Sequence, residues 1–515
     1  MKQLDVLLIH PSTLLDEKKA NRTIMSNTLI GYGLLSIGTI LKKNGYEVEI
    51  WNIPALYYKG LTRDNICAIF KKYDPLVIGI ELNWIHFSKG AFEWAKLLRK
   101  ELPNSKIVLG GVHQNIILKM LQNSSKQLKI LSEHIDAFFI GEAEKSFLKY
   151  VEMVKNKRDP SKIKGTISFK NNLLHNNGPP EIYEDLDEIP PYDLKIVRPK
   201  SSESFNLAII NTCRGPCKYN CIYCIGNNKT YGTTNISPRL ELAFHSPKWI
   251  IAQIKYILKE NKSINLSIQD YIYCNPKKVL QIAQEIQKCP EFNEKIKSFN
   301  FAMLPGTINK EVFENLSRAS VDNIDFGIES GSENVLNLMR RPYNINVIYD
   351  SLKNCVKNGI IAKTYWMVGL PEEKKQDIFL TKKLIKETIN LGAIPSWVTP
   401  VCIFPTLEMY ENAEKYGIKP RFLSFQEYFI FSETLRNRSN FYPDVITHST
   451  RFMDYKEIME TSNEIKRYIL EQKEVILENQ LKNLSTYVDH HPEYVLNYLE
   501  SKINSLIGNI SETFF

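Results

Sequence analysis

The chain has 515 residues, which at about 150 residues per domain is enough for roughly three domains and excludes a single small binding module. Hydrophobic residues make up 43 % and charged residues 24 %, a globular composition that excludes wholesale disorder, collagen-like repeats and a membrane-embedded chain. The net charge of +9 is mild for this length and does not by itself select a partner.

Short β-branched segments alternate with helical patterns through residues 1–150. This alternation predicts a Rossmann-like, doubly wound parallel sheet. The strands are expected at 5–9, 46–51, 76–80, 106–109 and 137–140, and the helices at 33–44, 63–72, 87–100 and from 144 onwards. Ligands of such sheets bind beyond the carboxyl ends of the strands, so we expect a site there.

The rest of the chain divides into three further parts. Residues 151–200 are polar and rich in proline, which predicts an ordered linker. Residues 201–408 alternate strands and helices again, as in part or all of a TIM-type βα barrel. Its strands are expected at 205–210, 265–268, 298–303, 323–327, 361–368 and 397–403. Residues 409–515 have mostly helical periodicity, so the predicted fold class is α/β with a mainly helical C-terminal region.

The N-terminus and the cysteines both point to a reducing compartment. The first apolar stretch has only four residues, Val6 to Ile9, and the longest other one, 29–41, is interrupted by glycines and polar residues. Neither fits a signal peptide or a membrane span, so a cytoplasmic chain is expected. Four of the nine cysteines lie within residues 213–224, a distribution typical of a metal site and not of a disulfide framework.

Three of these cysteines, Cys217, Cys221 and Cys224, have the spacing C-x3-C-x2-C directly after the first strand of the predicted barrel. Three thiolates hold three irons of a [4Fe–4S] cube and leave the fourth iron open to a ligand. A closed zinc site with Cys213 as fourth ligand is the alternative. The loop position favours the reactive cluster, because chemistry in βα barrels occurs at the strand-end loops. Cys67, Cys274, Cys289, Cys355 and Cys402 are expected to be core or surface residues.

Four downstream segments occur in the order found in one enzyme superfamily: 267–270 (SIQD), 326–332 (FGIESGS), 368–371 (VGLP) and 403–406 (IFPT). Together with the cysteine spacing, residues 205–410 resemble a radical S-adenosylmethionine (radical SAM) enzyme. Two glycines of the family pattern are missing: Glu372 replaces one after VGLP, and the other is lost from IFPT. The resemblance implies contacts to S-adenosylmethionine from Tyr223, Gln269, Asp270, Glu329, Ser330 and Gly369.

The first module resembles the cobalamin-binding domain that precedes the barrel in one radical SAM class. The matching segments are 31–35 (GYGLL), 44–48 (NGYEV), 108–113 (VLGGVH), 140–144 (IGEAE) and 184–191 (EDLDEIPP). The resemblance implies a cobalamin site formed by Leu35, Asn83, His86, Gly110, Gly111, His113, Gly141 and Glu142. Leu35 stands where other cobalamin proteins have a cobalt-ligating histidine, so no protein histidine is expected as lower ligand. Glu81, where related domains often have serine, leaves open a domain that has lost the cofactor.

These resemblances imply a cobalamin-dependent enzyme that reductively cleaves S-adenosylmethionine to a 5′-deoxyadenosyl radical and methylates an unactivated carbon of a small-molecule or peptide substrate. An external one-electron reductant such as flavodoxin or ferredoxin is implied as partner. Cyclisation, rearrangement or oxidation, with cobalamin a spectator or absent, is the alternative. A nucleic-acid-binding protein with a structural metal is disfavoured, because no basic cluster interleaved with aromatic residues is present. Tyr410, Arg436 and Tyr442 are candidate substrate contacts or packing residues.

Overall fold

Two parallel sheets, one in each half of the chain, organise the protein. The computed structural model describes residues 3–13, 30–121, 124–171, 173–200, 207–235, 237–261, 264–427 and 446–490. Arg436 and Tyr442 lie outside these residues. No helix in the described part of the chain is both long and apolar enough to cross a membrane.

The first sheet has a parallel centre with helices on both faces. Its central strands are β1 (Val6–His10), β2 (Val48–Asn52), β3 (Val77–Glu81), β4 (Lys106–Gly110) and β5 (Ala137–Phe139), in the order β5-β4-β3-β1-β2. Helices Tyr32–Lys43, Arg63–Tyr73, Ser88–Glu101, Val112–Leu121 and Glu144–Lys155 connect or follow them. Separate hydrophobic cores lie on the two faces, which is why the strands are apolar on both sides. The doubly wound α/β prediction is confirmed.

The predicted linker 151–200 contributes three more strands to this sheet. Strands β6 (Thr166–Lys170) and β7 (Leu173–Asn176) form an antiparallel hairpin beside β5, and β8 (Val197–Arg198) pairs with β2 at the other edge. β7 is largely exposed, and β8 has only two residues. Short edge strands of this kind carry too little hydrophobic pattern to be recognised in a polar, proline-rich sequence.

The second sheet is a partial barrel of six parallel strands in the order β9-β12-β13-β14-β15-β16. They are β9 (Leu207–Ile209), β12 (Ile264–Ile268), β13 (Ile296–Met303), β14 (Asn323–Glu329), β15 (Ile361–Val368) and β16 (Ile394–Pro400). A two-stranded ladder, β10 (Cys213–Arg214) with β11 (Ala243–Phe244), follows β9. Helices Asn228–Asn235, Pro247–Glu260, Pro276–Gln287, Lys310–Arg318, Ile345–Lys357 and Lys375–Asn390 surround the barrel.

Helix Tyr455–Glu471 packs against β15 and β16 beside the barrel, and helix Lys473–His490 follows it. A short antiparallel pair, β17 (Ile418–Pro420) and β18 (His448–Thr450), lies between the barrel and these helices. The buried Ile458, Ile465 and Ile469 place one apolar face of helix Tyr455–Glu471 in the barrel core.

The two missing glycines of the family pattern mark backbone positions that glycine favours. Glu372 has φ +56° and Thr406 has φ +92°, so both side chains are held where L-residues are strained. The turn after VGLP forms nevertheless, because the buried Glu373 carboxylate accepts hydrogen bonds from Gly369 N and Leu370 N at 2.8 and 3.2 Å. Burial raises the pKa of Glu373 to about 8.

Restoring the second glycine should stabilise the fold. Thr406 is β-branched at positive φ, and its buried hydroxyl oxygen has no partner among the described residues. Strain of this kind costs about 1–3 kcal/mol, and the extra backbone entropy of glycine offsets part of the gain. We expect Thr406→Gly to raise the unfolding free energy by about 1 kcal/mol in urea denaturation. Thr461→Gly, within helix Tyr455–Glu471, should lower it; a decrease for both variants would contradict the strain argument.

Candidate active site

A single cavity of about 2910 Å³ joins the carboxyl ends of the first sheet to the interior of the barrel. Its lining includes most of the residues predicted for the two cofactors: Leu35, Asn83, His86, Gly110, Gly111, Gly141, Glu142, Tyr223, Cys224, Gln269, Asp270 and Glu329. The topology explains this meeting, because both sheets turn their strand-end loops toward the space between them. The strand-end residues predicted for the two cofactors thus line one cavity, and which of them bind a cofactor stays a prediction.

The cysteine loop is folded around one buried asparagine. Asn227 Nδ2 donates to the carbonyl oxygens of Cys221 and Cys224, both at 2.8 Å. The backbone of Cys217 closes the loop by donating to Gly226 O at 2.7 Å. The three thiols therefore come from one hydrogen-bonded loop, although nothing in the C-x3-C-x2-C spacing pointed to Asn227.

The donor set of this loop fits a [4Fe–4S] cluster. Cys221 Sγ accepts from Arg341 Nη1 at 3.5 Å, and Cys224 Sγ accepts from Gly226 N at 3.4 Å. Hydrogen bonds to the sulfurs are a main means by which proteins tune such clusters. In the described residues no three Cys, His, Asp or Glu side chains converge as ligands of one metal ion would. A cube takes each thiolate on a different iron and does not require that convergence.

A fifth thiol lies beside the motif. Cys274, at the end of the turn after β12, has its Sγ 3.7 Å from Cys217 Sγ, and Tyr273 Oη is also 3.7 Å from that sulfur. Cys213 is instead held in the β10–β11 ladder, opposite Phe244. Sequence spacing gave no signal for Cys274, because its approach depends on how β12 lies next to β9 in the sheet.

Tyr223, Glu329 and Arg341 form a hydrogen-bonded triangle at the barrel mouth. Tyr223 Oη donates to Glu329 Oε1 at 3.1 Å, and Arg341 Nη1 donates to Tyr223 Oη at 2.6 Å. Arg341 Nη2 lies 3.4 Å from Glu329 Oε1, and its side chain is 5 % exposed. Burial raises the pKa of Glu329, and the positive charge of Arg341 partly opposes this. Arg341 belongs to no motif, so the sequence analysis missed it.

Both carboxylate oxygens of Asp270 accept hydrogen bonds from other groups of the protein. Oδ1 accepts from Thr212 Oγ1 at 2.7 Å and from Ile272 N at 3.1 Å, while Oδ2 accepts from the backbone N–H groups of Thr212 and Cys213. The carboxylate thus ties the end of β12 to the segment that leads into the cysteine loop. A positioning role fits these contacts, in addition to any contact with S-adenosylmethionine.

The remaining residues predicted to contact S-adenosylmethionine lie in different places, and only one of the three lines the cavity. Gln269 is exposed and lines the cavity. Ser330 is fully buried against Thr381, 3.4 Å from its hydroxyl, and Gly369 O accepts from His448 Nε2 at 2.7 Å. Within the described residues neither Ser330 nor Gly369 lines the cavity. Their contribution to ligand binding stays a prediction.

The glycine pair at the end of β4 is fixed by a chain of polar contacts. His10 Nδ1 lies 2.7 Å from Glu81 Oε2, Asn83 Nδ2 donates to Glu81 Oε1, and Asn83 Oδ1 accepts from Val112 N at 3.1 Å. Glu81 therefore holds Asn83 against the turn. The cavity wall beside it, made of Gly110, Gly111 and Gly141, presents backbone without side chains. Such a wall suits a large flat macrocycle, so the residues present fit cobalamin.

The two candidate histidines occupy different places. His86 lines the cavity next to Phe87, and burial lowers its pKa to about 3, with a smaller effect from His10. His113 is buried away from the cavity lining, with its ring centroid 6.3 Å from that of Phe404, and burial lowers its pKa to about 3 as well. Both rings are neutral at pH 7. Leu35 lines the cavity from helix Tyr32–Lys43 and offers no metal ligand there.

Glu142 and Glu144 connect the two modules through buried arginines. Arg239 donates two hydrogen bonds to the Glu142 carboxylate, at 2.6 and 3.0 Å. Arg214, beside the cysteine loop, donates to Glu144 Oε1 at 2.6 Å. Burial tends to raise the pKa of Glu144, but Arg214 and the Ser36 hydroxyl outweigh it and lower the pKa. The IGEAE segment is thus a structural clamp as well as a candidate cofactor contact.

Removing one side of this clamp should be costly. Arg214→Met leaves buried Glu144 without its cation, a change that typically costs about 3–5 kcal/mol. We expect a much lower urea midpoint, and because the Glu144 pKa is depressed, the stabilisation by this pair should exist above pH 4.5 and be lost as the pH falls below it. Lys255→Met is the matched control, since Lys255 and Glu291 are 55 % and 56 % exposed in their ion pair and the change should cost less than about 1 kcal/mol. Equal effects would contradict the clamp.

Tyr410, a candidate substrate contact, donates from Oη to Phe422 O at 3.2 Å. Within the described residues it does not line the cavity. This contact favours the packing alternative for Tyr410.

Comparisons with known proteins agree with the geometry. Residues 213–385 match the model of the radical SAM superfamily. An uncharacterized methyltransferase of Pyrococcus horikoshii is 24 % identical over 392 residues, covering 75 % of this chain and 79 % of the relative. The cytidylyl-2-hydroxyethylphosphonate methyltransferase of Streptomyces wedmorensis is 22 % identical over 417 residues, covering 71 % and 73 %.

A solved structure shares most of this architecture. The radical S-adenosylmethionine methyltransferase TsrM of Kitasatospora setae, with cobalamin and a [4Fe–4S] cluster bound, superposes with a TM-score of 0.61 at 15 % identity. The match covers 83 % of this chain and 84 % of TsrM. The likeness extends over both modules and establishes a common fold.

Proposed function

The chain belongs to the radical SAM superfamily through residues 213–385, and from this premise we propose that it is a cobalamin-dependent radical SAM methyltransferase acting on an unactivated carbon. The observation that carries the proposal is the shared cavity, in which the glycine wall of the first sheet and the cysteine loop of the barrel line one space. The methyltransferase relatives and the likeness to TsrM support the same chemistry.

Cys217, Cys221 and Cys224 would hold the cluster and leave one iron open. When bound, the cluster supplies an electron to S-adenosylmethionine, and cobalamin supplies the means of carrying a methyl group. Both cofactors fit the residues present. Arg341 donates to the sulfur of Cys221 and the Gly226 amide to that of Cys224, and hydrogen bonds of this kind stabilise the more negative, reduced state of a cluster.

The chain's own side chains position the reactants. Tyr223 and Glu329 face the cavity beside Cys224, so the Glu329 carboxylate is placed to accept hydrogen bonds from an amino or hydroxyl group of S-adenosylmethionine. Arg341 fixes both groups, and its positive charge partly opposes the rise in the Glu329 pKa that burial causes.

Reconstitution tests the proposal. The protein is loaded anaerobically with iron, sulfide and hydroxocobalamin and incubated with S-adenosylmethionine and an external one-electron reductant. We expect 5′-deoxyadenosine to form even without substrate, and the product, once a substrate is found, to gain one CH2 unit. If the iron-loaded protein formed no 5′-deoxyadenosine, the proposal of a radical SAM enzyme would be contradicted. A product without the added CH2 unit would favour cyclisation or oxidation instead.

A further inference from the structure

The floor of the barrel carries a polar cluster that the cofactors do not explain. Asp325 lies on β14 and Asn300 on β13, and both line the cavity. On β14, Asp325 is four residues before Glu329, so it lies about 13 Å deeper along the strand at roughly 3.3 Å per residue. The cluster is therefore separate from the triangle at the barrel mouth.

Two acceptor oxygens in this cluster have no partner among the described residues. Asn300 Nδ2 donates to Asp325 Oδ2 at 2.6 Å and more weakly to Ser267 Oγ at 3.4 Å. That bond fixes the orientation of the amide, because only its NH2 end can donate to a carboxylate. Asp325 Oδ1 and Asn300 Oδ1 remain buried and without hydrogen bonds, and Asp325 is only 9 % exposed. Unpaired buried acceptors are expensive, so this pair requires a donor.

Lys363 is the obvious internal donor, yet in the described structure it does not make this contact. It is the register partner of Asp325 on the neighbouring strand β15 and lines the cavity, but no ion pair or hydrogen bond of its ammonium occurs among the described residues. Lys466 and Arg467 reach the same cavity from helix Tyr455–Glu471. A cationic side chain therefore stands beside the two acceptors on the neighbouring strand, and two more line the same cavity, which suits a ligand that also carries an acidic group.

We propose that Asp325 and Asn300 bind the primary ammonium group of the substrate and that Lys363 binds its acidic group, so that the substrate is a free α-amino acid. An ammonium group has three N–H donors, enough for both unpaired acceptors. The register partners Tyr365 and Trp397 line the wall one step nearer the mouth, where an amino-acid side chain would extend toward the reacting centre. That this ligand is the substrate rests on the proposed function; that it binds here does not.

Binding without turnover tests this assignment. The loaded protein is dialysed against an equimolar mixture of the twenty standard L-amino acids, and the retained compounds are identified by mass spectrometry. We expect the protein to retain at least one amino acid and not to retain the N-acetyl derivative of that amino acid. Asp325→Asn should weaken binding of the amino acid by about 10- to 100-fold, as expected for a charged hydrogen bond. Lys363→Met should weaken binding of the amino acid but not of the matching amine that lacks the carboxylate.

Asp350→Asn, on the exposed face of helix Ile345–Lys357, is the matched control and should bind as the unaltered protein does. Retention of no amino acid, or equal retention of the N-acetyl derivative, would overturn the assignment. The comparison of the two compounds uses the unaltered protein and so does not depend on the folding of any variant. If 5′-deoxyadenosine still forms while no amino acid binds, the proposed function survives and this inference alone fails.

Discussion

Replacing Cys217, Cys221 or Cys224 with alanine should abolish both the cluster and the cleavage of S-adenosylmethionine. Each thiol comes from the same hydrogen-bonded loop, and a cube with only two thiolates loses its attachment on one side. Changes outside the ligand shell already cost about 10- to 100-fold, so loss of a ligand should lower 5′-deoxyadenosine formation by more than about 100-fold. Iron and sulfide content, the absorbance of the loaded protein and 5′-deoxyadenosine are the measurements.

Cys213→Ala and Cys274→Ala are the matched controls, because both thiols lie close to the motif without belonging to its spacing. We expect both variants to keep normal iron content and cleavage activity. Loss of the metal in Cys213→Ala, with zinc in place of iron in the unaltered protein, would instead establish the closed four-cysteine site. Loss in Cys274→Ala would make Cys274 a ligand.

Replacing Gly111 with valine should abolish cobalamin binding and spare the cluster. Gly111 has φ +137°, and a Cβ there would lie 2.5 Å from Leu82 O and 2.6 Å from Asn83 Oδ1. Neither the backbone conformation nor the space at Gly111 allows a side chain, so a valine there must displace the wall at the end of the strand. We expect affinity for hydroxocobalamin to fall by at least about 100-fold, measured by equilibrium dialysis, since a shifted wall loses several contacts at once.

Gly232→Ala, in helix Asn228–Asn235, provides the control, because no atom lies within 4 Å of the Cβ it adds. It should bind cobalamin and iron as the unaltered protein does. Tight cobalamin binding by Gly111→Val would show that the cofactor does not use this wall, and failure of the unaltered protein to bind cobalamin would favour a domain that has lost it.

The sequence predicted the first sheet well because its central parallel strands are buried on both faces. Val6–His10 and Lys106–Gly110 are continuous apolar segments next to clear helical periods, so periodicity identifies them within one or two residues. The strands of 151–200 were missed because an edge hairpin with an exposed strand has no such pattern. Paired edges depend on the neighbouring strand and not on local sequence.

The sequence analysis identified those residues of the candidate site that lie in recognisable motifs. Tyr223 and Glu329 were found through their neighbours in sequence, whereas Arg341, which bonds to both the tyrosine and a cysteine sulfur, stands in no recognised segment. Asp270 and Glu142 were predicted from the sequence, but their contacts within the protein were not. Their positions at strand ends suggested ligand contacts, but the structure gives both carboxylates strong partners within the chain, Thr212 and Arg239. A carboxylate at a strand end has the same sequence signature in either role.

The most direct test of the central claim is to follow the methyl group of S-adenosylmethionine. The loaded protein is incubated under reducing conditions with S-adenosylmethionine that carries a deuterated methyl group, and cobalamin and nucleoside products are analysed by mass spectrometry. A cobalamin-dependent radical SAM methyltransferase should transfer the deuterated methyl group to cobalamin and also release 5′-deoxyadenosine. Release of 5′-deoxyadenosine while cobalamin stays unlabelled would contradict methyl transfer, and release of neither would contradict the account as a whole.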